Sequence, residues 1–174
     1  ANNDWELTRR LAGERGVACD LPEVISRFQR IYNGTEDEPG LREFERRIPD
    51  PAVLSRLRER YKLGIVTGRP REEAERFLNR VGLRELFASL VCMENGPTKP
   101  SPEPVWLAMS TLGIERAWMV GDTPDDIIAA RTAGVVPIGV VAPSDEATGA
   151  TEAMLRAGAG AMIGGVSEIE EMIR

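Results

Sequence analysis

The sequence has 174 residues, 42% hydrophobic and 29% charged, enough for the core of one ordinary domain with a small appendage. Its formal net charge of −6 excludes a general nucleic-acid binder, whose surface must be basic. It contains no histidine, which excludes Ser-His-Asp and Cys-His catalysis and histidine-ligated metals within the chain. No run approaches the ~18 apolar residues of a membrane span. Cys19 and Cys92 stand far apart, too few for a disulfide scaffold or zinc site. With no leader-like opening, the expectation is a reduced, cytoplasmic chain. The first residue is Ala1 rather than Met, so further residues are expected upstream.

Residues 1–47 read as helices only. Trp5, Leu7, Leu11 and Val17 surround a short helical stretch with Asn3 or Asp4 as N-cap. Asp20-Leu21-Pro22-Glu23 opens a second helix, carried by Val24, Ile25, Phe28, Ile31 and Tyr32 and ended by Asn33-Gly34. Thr35 to Gly40 is an acidic loop.

After residue 47 helix and strand alternate. Asp50-Pro51 opens a helix carrying Val53, Leu54 and Leu57, and a strand follows at 63–67. A helix is expected over 70–81, a strand around 89–92 and a helix over 102–112. A strand over 117–120 leads to a helix over 125–133, and a fourth strand spans 136–141. A helix over 151–157 and a weak strand at 161–163 come next. Ser167-x-x-Glu170 reads as a capping box opening a last helix. Short, continuous apolar strands alternating with helices mean a parallel sheet covered on both faces, with ligands at the carboxyl ends of the strands.

Three polar groups fall at those ends. After the first strand comes Thr67-Gly68-Arg69-Pro70, whose hydroxyl, turn amides and helix start suit a phosphate oxygen, or equally a plain strand-to-helix turn. After the second comes Lys99 in Lys99-Pro100-Ser101-Pro102. Prolines fix φ and stiffen that loop, so an ammonium held there offsets phosphoryl charge. After the third comes Gly121-Asp122-Thr123-Pro124-Asp125-Asp126. Its crowded carboxylates call for a cation, and Mg²⁺ prefers such oxygen ligands, with Asp122 and Asp126 the best candidates. Asp122 or Thr123 also suits an N-cap, with Asp125 a solvated first-turn charge.

In order, these groups resemble the second, third and fourth motifs of the haloacid dehalogenase superfamily: a hydroxyl residue ending a strand (Thr67), the lysine of a Lys-Pro-x-Pro loop (Lys99) and a Gly-Asp-x-x-x-Asp motif (Asp122, Asp126). Residues 129–134 are similar to the helix that follows in that family. The resemblance covers roughly residues 48 to 174 and is nearest the subgroup with a helical cap inserted after the first strand, as in phosphoglycolate phosphatase-like proteins. It implies an α/β fold, a three-layer sandwich with a mostly parallel Rossmann-like sheet, plus a partial α-helical cap. Residues 1–47 would be the later part of the cap and 48–174 the core without its first strand. The implied activity is Mg²⁺-dependent hydrolysis of a small phosphorylated metabolite through an aspartyl-phosphate. Thr67, Gly68, Arg69 and Lys99 would hold phosphate, with Thr67 and Lys99 catalytic and Asp122 and Asp126 on the metal. The alternatives are a non-catalytic binding or regulatory domain and, less favoured, a 2-haloacid dehalogenase, which would leave the acidic motif without a role. Asn2, Asn3, Asp4 and Trp5 form a polar-aromatic cluster that suits either substrate contact or helix capping with a buried Trp5.

One departure matters. The family's nucleophile lies in Asp-x-Asp at the end of the first strand, and no Asp-x-Asp occurs in this sequence. That strand normally sits between those ending at Thr67 and Val120, so its absence leaves a gap of about two strand spacings, ~9.6 Å. The missing segment is therefore expected upstream or in a second chain, and these residues alone are expected to be inactive.

Overall fold

The computed structural model describes residues 3–143 and 145–173. The chain divides into two compact units, residues 1–47 and 48–174.

In the first unit α1 (Asp4–Glu14) begins where the Asn3 carboxamide accepts hydrogen bonds from the Trp5 and Glu6 amides. Asn3 is thus a helix cap, and Asn2 lies outside the described residues. The Asp20 carboxylate caps α2 (Leu21–Asn33) by accepting from the Glu23 amide at 2.8 Å. Gly34 closes α2 at φ 79°, a conformation that favours glycine. The chain then turns back through an antiparallel bridge between Gly34 and Pro39. A Cβ on Gly34 would stand 2.4 Å from the Gly40 nitrogen, so both glycines are needed for this return. A short 3₁₀ turn, Leu41–Phe44, follows, and the Tyr32 hydroxyl and Arg42 guanidinium pin it through Glu45 and Asn33.

The second unit carries α3 (Pro51–Arg60), β1 (Gly64–Val66), α4 (Arg71–Arg80), β2 (Ser89–Val91), α5 (Glu103–Leu112) and β3 (Trp118–Gly121). It continues with α6 (Pro124–Ala133), β4 (Val136–Val140), α7 (Ala147–Ala157), β5 (Ala161–Ile163) and α8 (Ile169–Met172). All strand pairs are parallel. Helices cover both faces, as the burial shows. Val120 packs with α3, α4, β2, β4 and β5, around Leu54, Leu78, Leu90 and Ile138. Its neighbour Met119, pointing the opposite way, packs with Val105 of α5 and Ala129 and Ala130 of α6.

Two local expectations are corrected. The helix expected over 151–157 begins earlier, at Ala147, because the Glu146 carboxylate accepts from the amides of Thr148 and Gly149. The Ser167/Glu170 capping box does not form, and α8 opens without a side-chain cap. Glu170 instead pairs with Arg56 of α3, while the Glu168 carboxylate accepts from the Gly164 amide.

The parallel strands form two sheets, β1–β2 and β3–β4–β5, parted where the absent first strand was expected to leave a gap. Exposure follows the break. All of β2 is buried although it pairs on one side only, whereas every residue of β1 and β3, which flank the break, stays partly or fully exposed. Side chains close both ends of the gap. At one end the ring of Tyr61, just ahead of β1, meets Trp118, which opens β3, edge to face at 5.7 Å between centroids. At the other end stands Lys99. Among the described residues no helix is long and apolar enough to cross a membrane.

Candidate active site

The carboxyl ends of β1 and β3 bring the polar residues together. Lys99 reaches in from the proline-rich loop between β2 and α5, with its side chain 11% exposed. Its Nζ donates to the Val66 carbonyl at the end of β1, at 3.3 Å, and to the Asp126 carboxylate on α6. The ammonium thereby links the end of β1 to α6, the helix that follows β3.

Asp126 is held from both sides. Its Oδ1 takes Lys99, and its Oδ2 accepts from the Thr123 amide at 3.0 Å and the Thr123 hydroxyl at 2.7 Å. Thr123 in turn caps α6 by accepting from the Asp126 amide. Of the two capping candidates it is Thr123, not Asp122, that starts the helix. Gly121 makes this possible, since a Cβ there would lie 2.2 Å from the Asp126 Cβ.

Asp122 is exposed as a residue, yet its carboxyl group is partly desolvated. Burial raises its pKa above the ordinary value. The Asp126 charge raises it further, against the opposing pull of its own backbone amide and of Lys99. Asp122 and Lys99 therefore sit within electrostatic reach at one rim. Among the described residues no three carboxylate, cysteine or histidine side chains gather as a ready-made metal cage.

Thr67, Gly68 and Lys99 line one small cavity at the end of β1. The Thr67 Oγ1 accepts from the Arg69 amide at 3.2 Å, leaving its own proton and the Gly68 N–H without a partner among the described residues. Arg69 is placed differently: its guanidinium lies toward Glu73 and over the Phe77 ring of α4. The N-terminus of α4 already holds a carboxylate, because Glu94 accepts from the Arg71 amide at 2.9 Å. Nothing in the local sequence marked Glu94, which lies on a 3₁₀ turn 23 residues away from its partner. The Val66 carbonyl was equally hidden, since every residue type has one. Cys92 is buried, and burial pushes its thiol up, so it is no nucleophile.

With this geometry in view, the haloacid dehalogenase-like hydrolase family matches residues 6–140. The chain belongs to that family. It is 44% identical over 151 residues to an imidazoleglycerol-phosphate dehydratase of Phytophthora nicotianae, covering 82% of this chain and 33% of that protein. It is 39% identical to an N-acetylmuramic acid 6-phosphate phosphatase of Pseudomonas aeruginosa, covering 78% of this chain and 63% of that protein. The chain thus spans from one third to just under two thirds of the length of these relatives. Among solved structures, a hydrolase from Pseudomonas syringae superposes with a TM-score of 0.73 at 19% identity, over 95% of this chain and 75% of that one. At that identity the superposition speaks for the fold alone.

Proposed function

We propose that the second unit is the greater part of a Mg²⁺-dependent phosphate-monoester hydrolase acting on a small phosphorylated metabolite in the cytoplasm, and that the first unit is part of its cap. The observation that carries this reading is Lys99, held between the Val66 carbonyl and Asp126 over a cavity shared with Thr67 and Gly68. The Thr67 hydroxyl and the Gly68 N–H donate to phosphoryl oxygens. Lys99, locked in position, stabilises the charge that grows on them. Asp126 acts as a positioning residue, because both of its oxygens are already engaged. Residue by residue, the donor set fits Mg²⁺, which needs only one or two carboxylates beside water and substrate oxygens. Asp122 would hold it, the desolvated carboxyl whose charge nothing beside it fully offsets, with Asp126 behind. The ion would supply neutralisation of the phosphoryl oxygens.

The nucleophile is the part this sequence does not contain. We place it on a further parallel strand seated between β1 and β3, whose facing edges pair with no strand among the described residues and are more exposed than the buried β2. A strand entering there parallel to its neighbours would end beside Lys99. An aspartate at that end would attack phosphorus as the P–O bond to the ester's alcohol breaks, a second carboxylic acid protonating the leaving oxygen; that carboxylate would then take a proton from the water that hydrolyses the aspartyl-phosphate to phosphate. The strand comes from the same polypeptide or from a second one.

The test is phosphate release from a broad panel of phosphate monoesters by the complete gene product, with and without Mg²⁺. Turnover that needs Mg²⁺ supports the proposal. No release from any ester, with the protein folded, would leave a non-catalytic member of the fold as the better reading.

A further inference from the structure

The first unit contains a cleft of about 760 Å³ that uses none of the active-site residues. One wall is a face of α2, carrying Glu23, Arg27, Arg30 and Ile31 at helical spacing; the other is the returning segment with Thr35, Glu38, Pro39 and Leu41. The volume falls in the range of small-molecule pockets, ~300–1,000 Å³. The rim is built rather than loose, because the Gly34–Pro39 bridge, the close Gly34–Gly40 contact and the Arg42–Asn33 bond hold the return against α2.

The cleft gathers charges of both signs. Arg27, Arg30, Glu23 and Glu38 line one space, yet among the described residues none of the four side chains forms an ion pair or hydrogen bond. Some surface helices pair such groups, as in Arg9–Glu6 on α1 and Arg156–Glu152 on α7. Each guanidinium carries a planar fork of N–H donors suited to a carboxylate or phosphate head, and Arg27 and Arg30 lie one turn apart along the same wall. Ile31 and Leu41, 56% and 58% exposed, offer an apolar floor beside them. Glu23 and Glu38 disfavour a polyanion and accept hydrogen bonds from a polar body.

We propose that this cleft is a binding site for a small organic anion. Its carboxylate or phosphate head sits on Arg27 and Arg30, its body lies on Ile31, Pro39 and Leu41, and its hydroxyl or amine donors reach Glu23 and Glu38. The cleft is lined by residues 23–41 and shares none with the proposed phosphatase site, so the two readings are tested separately.

The experiment titrates 4-hydroxybenzoate, phenyl phosphate and the neutral 4-hydroxybenzyl alcohol into the ¹⁵N-labelled complete gene product and follows amide shifts. The expected result is saturable shifts at Ser26, Gly34 and Thr35 with at least one of the two anions and not with the alcohol. The stronger anion identifies the preferred head. Binding weakens at least tenfold in Arg27→Gln/Arg30→Gln and less in Arg27→Lys/Arg30→Lys, which keeps the charge without the fork. Both arginines are exposed and unpaired, so the variants should keep the native amide spectrum. Absence of saturable shifts at these amides, equal binding of the alcohol, or unchanged affinity in the glutamine variant would overturn the assignment. So would shifts confined to residues 67–69.

Discussion

Lys99 and Asp126 form an ion pair that ties the end of β1 to α6 across the break between the two sheets. Both side chains are largely buried, at 11% and 5% exposure, so solvent screens the pair little. Removing one partner leaves the other charge uncompensated, which typically costs about 3–5 kcal/mol. The Lys99→Met variant is therefore expected to lose stability on that scale, and Lys99→Met/Asp126→Asn to recover part of it. Urea unfolding followed by circular dichroism measures both. A loss under about 1 kcal/mol in the single variant would mean that the pair does not hold the halves together.

Gly121 is where α6 comes closest to β3. An added Cβ would meet the Asp126 Cβ at 2.2 Å and Cγ at 2.6 Å, inside any real contact. Gly121→Ala should cost about 1–3 kcal/mol, the usual penalty for overpacking. Gly165→Ala is the control, since its backbone is extended and nothing lies within 4 Å of the new methyl. Equal urea midpoints for the two variants would contradict the close approach.

Ser89 opens β2 with its hydroxyl buried and without a partner among the described residues. A buried polar group left unsatisfied costs about 1–3 kcal/mol. Ser89→Ala keeps the strand and removes the group, so stability should rise by about 1 kcal/mol. A fall in the unfolding midpoint would show that the hydroxyl has a partner in solution.

The alternation of apolar runs and amphipathic helices made the parallel architecture legible, because the packing of each strand is written in its own residues. Lys99 and Asp122 were legible as polar residues just past strand ends. The split of the sheet followed only from the missing first motif, since no residue in β1 or β3 declares which strand lies beside it. Long-range pairs were hidden for a related reason. Glu170 looked like half of a capping box, but Arg56, 114 positions away, takes it. Glu94 carried no local signal, yet its carboxylate accepts from the Arg71 amide at the start of α4. In each case the partner is distant in sequence.

The Asp122 carboxyl titrates above its ordinary value of 3.8, through burial first and the Asp126 charge second. The folded chain therefore binds this proton more tightly than the unfolded chain does. Its stabilising share is full below the ordinary value and is lost as pH rises through the raised one. Asp122→Asn removes that loss. Its thermal midpoint should exceed that of the parent chain by more at pH 7 than at pH 4, both measured without divalent ions. A variant less stable than the parent at pH 7 would contradict the desolvated, repelled carboxylate.

The same substitution gives the most direct test of the proposed chemistry, because the account expects stability and activity to move in opposite directions. Initial rates of phosphate release are compared at saturating monoester for the complete protein and its Asp122→Asn variant, across a Mg²⁺ titration. The account predicts a variant that melts higher yet turns over at least about a hundredfold more slowly, with its response to Mg²⁺ displaced to much higher concentration. A variant within twofold of the parent rate, with an unchanged Mg²⁺ profile, would contradict a phosphate site built on Lys99 and Asp122.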